Sequence, residues 1–378
     1  MVLSIGLFFS LMGIGAMAFA LLRRLLAELP AGPWPAGGAV VGALAYDWAR
    51  PRRPGEDGPL LVALGVERFR LFPAEHDPAS SAPRLSEPLI ELEPCSSFSR
   101  EAYCRGVERV KQHIAAGDVY QANLAQRFEL ELGRLGPGAH PGLALYEALR
   151  VESPAPFAGY LRAGGLEIVS ASPERLVEVQ GARVSTRPIA GTRPRALEGP
   201  ADDSLGAELL LSEKERAEHL MLVDLARNDL GQVAEIGSVQ VDELMTVESY
   251  AQVRHIVSNV HARLAPGRDA FDALLALFPG GTITGVPKRR CMQILDVLEP
   301  VPRGFYTGAL FYATPDGRLD ANILIRSAVV SGGRVRFQAG AGIVADSDPR
   351  REYEETLHKA VGLRRALERL LGHAAPEL

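Results

Sequence analysis

REAYCRGVERVKQHIAAGDVYQANLAQRFEL, residues 100–130, contains the change of period on which the fold class turns. Over residues 100–116 the apolar side chains recur at helical spacing, Gly117 stops the run, and residues 119–130 follow as a β-rich stretch. Working outward, residues 166–179, 184–186, 304–313 and 334–338 read as strands. Helices are expected over 206–230 and 351–370, and residues 60–71 alternate like a strand. An α/β body follows. Residues 30–38 and 51–58 carry turn and loop residues, and the Pro/Ser/Ala-rich segment 73–94 reads as a linker. The expected division is an N-terminal part, 1–96, and a body, 97–373, with the boundary near Ser97.

The chain has 378 residues, 47% hydrophobic and 23% charged, as suits a folded protein with a sizeable core. Its net charge is −5 and no basic stripe runs along a helix, which argues against nucleic acid as a partner. Cys95, Cys104 and Cys291 have neither metal-ligand spacing nor an even count for a disulfide framework, so a reducing cytoplasm is expected. Residues 1–22 carry no charge and precede Arg23 and Arg24. That length could span a bilayer, but its Gly and Ser residues and the soluble character of the rest favour a buried helix or a misassigned start codon.

Glu215 and Glu218 lie three apart on one expected helix, and Glu352 and Glu355 repeat the spacing on the other. Each pair projects from one helix face, as a solvated surface would. If the two faces converge, hard oxygen ligands completed by water and an anionic substrate suit Mg2+, whereas zinc would want His or Cys. Three Gly-rich stretches, 189–195, 279–288 and 340–348, lie near strand ends, where their amides could bind a carboxylate. Thr192, Thr282, Lys288 and Arg326 would add donors and charge. None matches a dinucleotide or P-loop fingerprint. His255 reads equally as a general acid/base and as a packed core histidine.

As a set these stretches resemble the chorismate-binding enzymes, a family that includes anthranilate, aminodeoxychorismate, isochorismate and salicylate synthases. The resemblance runs from about residue 100 to 371. It rests on GDVYQANLAQRF (117–128), SASPERL (170–176), RPIAGTRPR (187–195), EKERAEHLMLVDLARNDLG (213–231), PGGTITGVPK (279–288) and GAGIVADSDPRREYEET (340–356). It implies one large α/β domain, two antiparallel sheets packed as a sandwich with helices outside. It also implies Glu218 and Glu355 as Mg2+ ligands with Glu215 and Glu352 in support, and Glu174 as the acid that protonates the departing C4 hydroxyl. His255 becomes an active-site histidine. Tyr306, Arg326 and the amides of Gly340, Ala341 and Gly342 would hold the substrate carboxylates, with Thr282 in the same pocket.

Gln121 stands where water-adding members place a lysine base, so the resemblance implies ammonia as nucleophile, supplied by a glutaminase subunit. Asn123, Pro156–Phe157, Gly281, residues 303–308 and Asn322 look like the aminodeoxychorismate type. Ala190 looks like the anthranilate type, because it replaces a lysine that attacks C2. The N-terminal part, in which residues 37–50 resemble a stretch that lies deep inside relatives, is expected to be truncated. A homologue that only binds a glutaminase is the non-enzymatic alternative, and the retained Glu174, Glu218, His255 and Glu355 argue against it.

Overall fold

The structure is a computed structural model that describes residues 5–9, 15–29, 39–49, 61–66, 95–132, 140–194, 213–249 and 253–371. The chain opens with β1 (Ile5–Phe9), α1 (Gly15–Glu28), β2 (Ala39–Leu44), a 3-10 turn at Tyr46–Ala49, and β3 (Leu61–Val66). Next come β4 (Cys95–Ser96), α2 (Arg100–Ala115), β5 (Gln121–Glu131), α3 (Pro141–Glu152), β6 (Phe157–Ala163) and β7 (Leu166–Ser172). They are followed by β8 (Arg175–Gln180), β9 (Arg183–Thr186), β10 (Ile189–Pro194), α4 (Glu213–Gly231), β11 (Gln240–Ser249) and β12 (Val253–Arg263). The last third holds α5 (Ala270–Leu277), β13 (Gly285–Val286), α6 (Lys288–Leu298), β14 (Ala309–Ala313), β15 (Leu319–Ile323), β16 (Ser327–Ser331), β17 (Arg334–Ile343) and α7 (Pro349–Leu371).

These strands form two antiparallel sheets, the arrangement expected from the motifs. One is ten-stranded, ordered β1-β3-β2-β14-β15-β8-β9-β12-β10 with β11 beside β12. The other is seven-stranded, β13-β5-β17-β16-β7-β6 with β4 beside β5. Between the sheets, Ala43, Val62, Leu161, Ile168, Phe305 and Leu324 form a shared apolar cluster. On the outer face of the smaller sheet, α3 and α7 bury Leu145, Leu149, Leu363 and Leu367 against Phe128, Val169 and Phe337. Helix α2 starts on the Ser99 cap, whose hydroxyl accepts from the Ala102 amide at 3.2 Å. It ends before Gly117, whose φ of 79° is left-handed, as its role as a stop requires.

Several expected elements differ. The run 166–179 is two strands, because the chain leaves the smaller sheet at Ser172 and enters the larger one at Arg175. Only Ala309–Ala313 of the run 304–313 is strand; Gly304–Gly308 turns, with Thr307 at φ 59°. Two of the Gly-rich stretches are themselves strand rather than loop: Ile189–Pro194 is β10, and Gly340–Ile343 closes β17. The expected loops at 30–38 and 51–58, the linker 73–94 and the first turns of the helix expected from 206 lie outside the described residues.

The large sheet continues across the division expected near Ser97. Strand β2 pairs with β14 from Ala309↔Leu44 to Ala313↔Val40. Phe19 of α1 meets Trp48 and Phe271 edge-on at 5.7 Å, and Arg23 donates to Asp269 at 2.5 Å. Among the described residues no helix is long and apolar enough to cross a membrane.

One ion pair ties β5 of the smaller sheet to the loop between α5 and β13 and to the turn before β14. Arg303 and Glu299 lie 2.7 Å apart with side chains 1% and 7% exposed. Arg303 also donates to the carbonyls of Asn123 at 2.6 Å and Ile283 at 2.9 Å, and to the Thr307 hydroxyl at 3.2 Å. Glu299 accepts the Ala125 amide at 3.0 Å. Burial alone would lower the Arg303 pKa, but the Glu299 carboxylate more than offsets it and holds the guanidinium charged. Glu299→Ala is therefore expected to cost about 3–5 kcal/mol in urea unfolding, because it strands a buried cation. A loss below about 1 kcal/mol would contradict this role.

Candidate active site

Two crossovers between the sheets run side by side, and each carries a titratable residue whose pKa burial shifts. The first, at Ser172–Arg175, holds Glu174. The second, at Ile323–Ser327, holds Arg326. They are stitched together by the Ile323 amide donating to the Glu174 carbonyl at 3.0 Å, the Ser172 hydroxyl to the Ile323 carbonyl at 2.6 Å, and the Ala171 amide to the Arg326 carbonyl at 3.1 Å. Arg326 sits at φ 49°, a left-handed conformation that costs a non-glycine residue about 1 kcal/mol or more.

Glu174 is 7% exposed. Burial raises its pKa to about 7, against the Thr282 hydroxyl, which donates to its Oε1 at 2.8 Å, and the nearby Lys359 charge. It is thus a carboxyl that holds a proton near neutrality. Beside it a cavity of about 30 Å3, lined in part by Leu225, Asp229, Gly281 and Thr282, has room for a water-sized molecule. Arg326 pairs with no carboxylate among the described residues, and burial lowers its pKa. An anion would relieve that cost.

A second wall is made by β5 against β17. Gly342 stands opposite Asn123, Ala341 opposite Leu124 and Gly340 opposite Ala125. Asn123 and Ala125 send their amides away from β17, to the Thr284 carbonyl and to Glu299. Gly340 and Gly342 are therefore the non-hydrogen-bonded positions, and their own amides point off the ladder. Ala341 pairs with Leu124 instead, so its amide is unavailable to the substrate expected there. A side chain at either outer position would displace a site residue: a Cβ at Gly340 would lie 2.2 Å from Asn123 Oδ1 and 3.0 Å from the Tyr306 hydroxyl, and one at Gly342 would lie 2.7 Å from Gln121 Nε2. Gln121 donates to Glu218 Oε1 at 2.6 Å. The carbonyl oxygens of the Gln121 and Asn123 side chains are buried with no partner among the described residues. Being two apart on one strand, they face the same way.

Glu355 pairs with Lys359 at 2.7 Å, and Lys359 in turn donates to the Gly340 carbonyl at 3.0 Å. Glu218 and Glu355 thus both border the Gly340–Gly342 strand. Glu352 and Glu355 both act electrostatically on the Tyr103 hydroxyl, and Glu215 is on the same helix as Glu218, one turn earlier. Among the described residues no three His, Cys, Asp or Glu side chains form a ready metal cage. Mg2+ does not need one: it keeps waters and takes one or two carboxylates together with substrate oxygens. Glu218 and Glu355 are oxygen donors of that kind, and both retain some exposure.

His255 is 5% exposed, and its Nδ1 lies 3.2 Å from the Gly191 carbonyl, so that nitrogen carries the proton. Burial lowers its pKa and the nearby Arg326 charge adds to this, which keeps the ring neutral beside the guanidinium. Thr192 stands opposite His255 in the β10–β12 register. Lys288 departs from expectation. Its ammonium is held by Asp229 at 2.6 Å and the Leu277 carbonyl at 3.1 Å, so the charge expected to face substrate is already neutralised. Sequence reading also missed the roles of Lys359 and Arg303, although each lies four residues after its glutamate partner, Glu355 and Glu299.

The family model for chorismate binding enzymes matches residues 66–365. The aminodeoxychorismate synthase component 1 of Bacillus subtilis is 47% identical over 271 residues, covering 72% of this chain and 56% of that protein. The anthranilate synthase component 1 of Methanothermobacter thermautotrophicus is 49% identical over 271 residues, covering 72% and 57%. Among solved structures, anthranilate synthase component I from Streptococcus pneumoniae superimposes with a TM-score of 0.76 at 32% identity, covering 91% of this chain and 84% of that one. The chain spans a little over half the length of these two curated relatives. With two antiparallel sheets, the site motifs in order, and a family match over most of its length, this chain belongs to the chorismate binding enzyme family.

Proposed function

We propose that the chain aminates chorismate with ammonia, releasing the C4 hydroxyl as water, and that the product is 4-amino-4-deoxychorismate. The observation that carries amination over hydration is Gln121. An amide cannot deprotonate water, and its buried carbonyl oxygen, side by side with that of Asn123, suits an N–H donor. The water-sized cavity beside Glu174 fits a nucleophile as small as ammonia. A glutaminase subunit is the proposed source of that ammonia.

Arg326, the Tyr306 hydroxyl and the outward amides of Gly340 and Gly342 would receive the two substrate carboxylates. Glu174, protonated near neutrality, gives its proton to the departing hydroxyl, and Thr282 fixes the direction of the carboxyl. Glu218 and Glu355 would hold Mg2+, with Glu215 and Glu352 in support. The cation, when bound, supplies charge stabilisation at a substrate carboxylate. His255, neutral, can hydrogen-bond at the ring without adding charge.

Asn123, Pro156–Phe157, Gly281, residues 303–308 and Asn322 favour the C4 product. Ala190 favours a second reading, amination at C2 to give anthranilate, because it leaves no lysine to attack C2. It is buried on β10, two residues from the position opposite His255. If the C4 product forms, ammonia or another group must act at C2 in place of that lysine. Chromatography of chorismate incubated with the protein, Mg2+ and an ammonium salt distinguishes the two. An amino-chorismate that yields 4-aminobenzoate only after an aminodeoxychorismate lyase is added is expected. Anthranilate and pyruvate without lyase would overturn the C4 assignment.

The acid role has its own signature. Glu174→Gln is expected to lower kcat by about 10²- to 10⁴-fold. In the unaltered protein kcat/KM should fall as pH rises through about 7, since the protonated carboxyl is the active form. Thr282→Val should move that fall to higher pH, because the Thr282 bond lowers the Glu174 pKa. A profile flat from about pH 6 to about pH 9 would remove Glu174 as the acid.

A further inference from the structure

The residue immediately after each glutamate assigned to the cation is buried completely. His219, after Glu218, and Thr356, after Glu355, are both 0% exposed. Successive residues of a helix are about 100° apart around its axis, so pinning the second fixes the direction of the first. Both are pinned by a side-chain hydrogen bond to a strand. His219 Nε2 lies 2.5 Å from the Ser258 hydroxyl on β12. That same oxygen accepts the Met245 amide at 2.9 Å, so it is anchored on β11 as well. The Thr356 hydroxyl accepts from Gln126 Nε2 on β5 at 2.5 Å and donates to the Tyr353 carbonyl at 2.6 Å. Gln126 Oε1 in turn accepts from the Ser96 hydroxyl at 2.8 Å.

Burial alone does not call for these residue types. Leucine or phenylalanine at 219 and valine at 356 would fill the space without placing polar atoms in it. His219 even leaves its Nδ1 with no partner among the described residues, a cost that apolar packing would avoid. What a hydrogen bond adds and apolar contact lacks is direction. Strand β5 serves as the common reference: Gln121, at its start, contacts Glu218, and Gln126 ties down the helix that carries Glu355.

We propose that His219 and Thr356 are positioning residues that set the rotation of α4 and α7 at which Glu218 and Glu355 present their carboxylates to one divalent cation. The proposal rests on the Mg2+ reading of those two glutamates. Neither anchor touches the cation itself. Each acts through the glutamate that precedes it, as outer partners do when they orient the ligands of a metal.

The test uses Mn2+ as a paramagnetic probe, titrated into the full chain with chorismate present and ammonia absent, with free Mn2+ read by electron paramagnetic resonance. Loss of binding in Glu218→Ala and Glu355→Ala tests the metal reading. If the unaltered chain binds no Mn2+, or both alanine variants bind like it, that reading fails and the proposal with it. Given metal binding, His219→Phe and Thr356→Val are expected to weaken Mn2+ by about 10- to 100-fold while keeping a cooperative thermal transition. Thr356→Ser, which keeps the hydroxyl, should restore the affinity. If His219→Phe does not fold, Ser258→Ala removes the same bond from the strand side and is read in the same way. Unchanged Mn2+ affinity in folded variants lacking either bond, or failure of Thr356→Ser to rescue, would overturn the proposal while leaving the metal reading intact.

Discussion

A guanidinium with all its donors buried organises the walls of this site. Arg303 has five N–H groups, and the structure provides acceptors for each nitrogen: Glu299, the carbonyls of Asn123 and Ile283, and the Thr307 hydroxyl. Moving such a charge out of water costs several kcal/mol, which the carboxylate and a full set of hydrogen bonds offset only while the geometry is kept. The residues held are site residues or their neighbours. Asn123 lies opposite Gly342, Ile283 follows the Thr282 that orients Glu174, and Thr307 follows Tyr306. The Arg303 guanidinium also lies over the Tyr46 ring at 4.6 Å and 5.7 Å from that of Tyr306. A displacement of any one wall would therefore be felt by the others through one cation.

The seam between the two sheets is where a fold of this kind can place opposite electrostatic demands side by side. Strands must pair along their length, but a crossover frees its residues from the ladder and leaves them enclosed by both sheets. Glu174 uses that enclosure to hold a proton, and Arg326 uses it to keep a cation in want of an anion. Burial drives the carboxyl pKa up and the guanidinium pKa down, so the neutral acid is poised to give its proton to a leaving group and the cation to gain from an anion. His255 stays neutral for the same reason. A dianionic substrate with a leaving hydroxyl meets those conditions as one molecule.

Local order in the sequence carried much of the fold. Helix α2, with its glycine stop at Gly117, and the acid-bearing helices α4 and α7 were legible because their signals lie within a few residues of one another. The crossing at Pro173–Glu174 was not, since strand-like residues continue on both sides and only the pairing partners change. The same limit explains β2, whose partner β14 lies more than 200 positions away in the chain. At the site, Glu174, Arg326 and Gln121 stood out through the motifs that resemble the family, not through periodicity. Lys288 looked like a free cation because Asp229 lies 59 residues away. Ala341 looked like its glycine neighbours because the alternation of ladder amides depends on what β5 pairs with. His219 and Thr356 carried no signal of their own: each is a polar residue on a helix until its strand partner is known.

The central claim is that chorismate binds at the seam, with its carboxylates taken by Arg326 and the cation held at Glu218 and Glu355. Calorimetric titration of chorismate into the full chain, with and without Mg2+, tests it most directly. Binding of one chorismate per chain that needs Mg2+ and is abolished in Arg326→Ala is the predicted result. Binding that is indifferent to both Mg2+ and the loss of Arg326 would contradict the account.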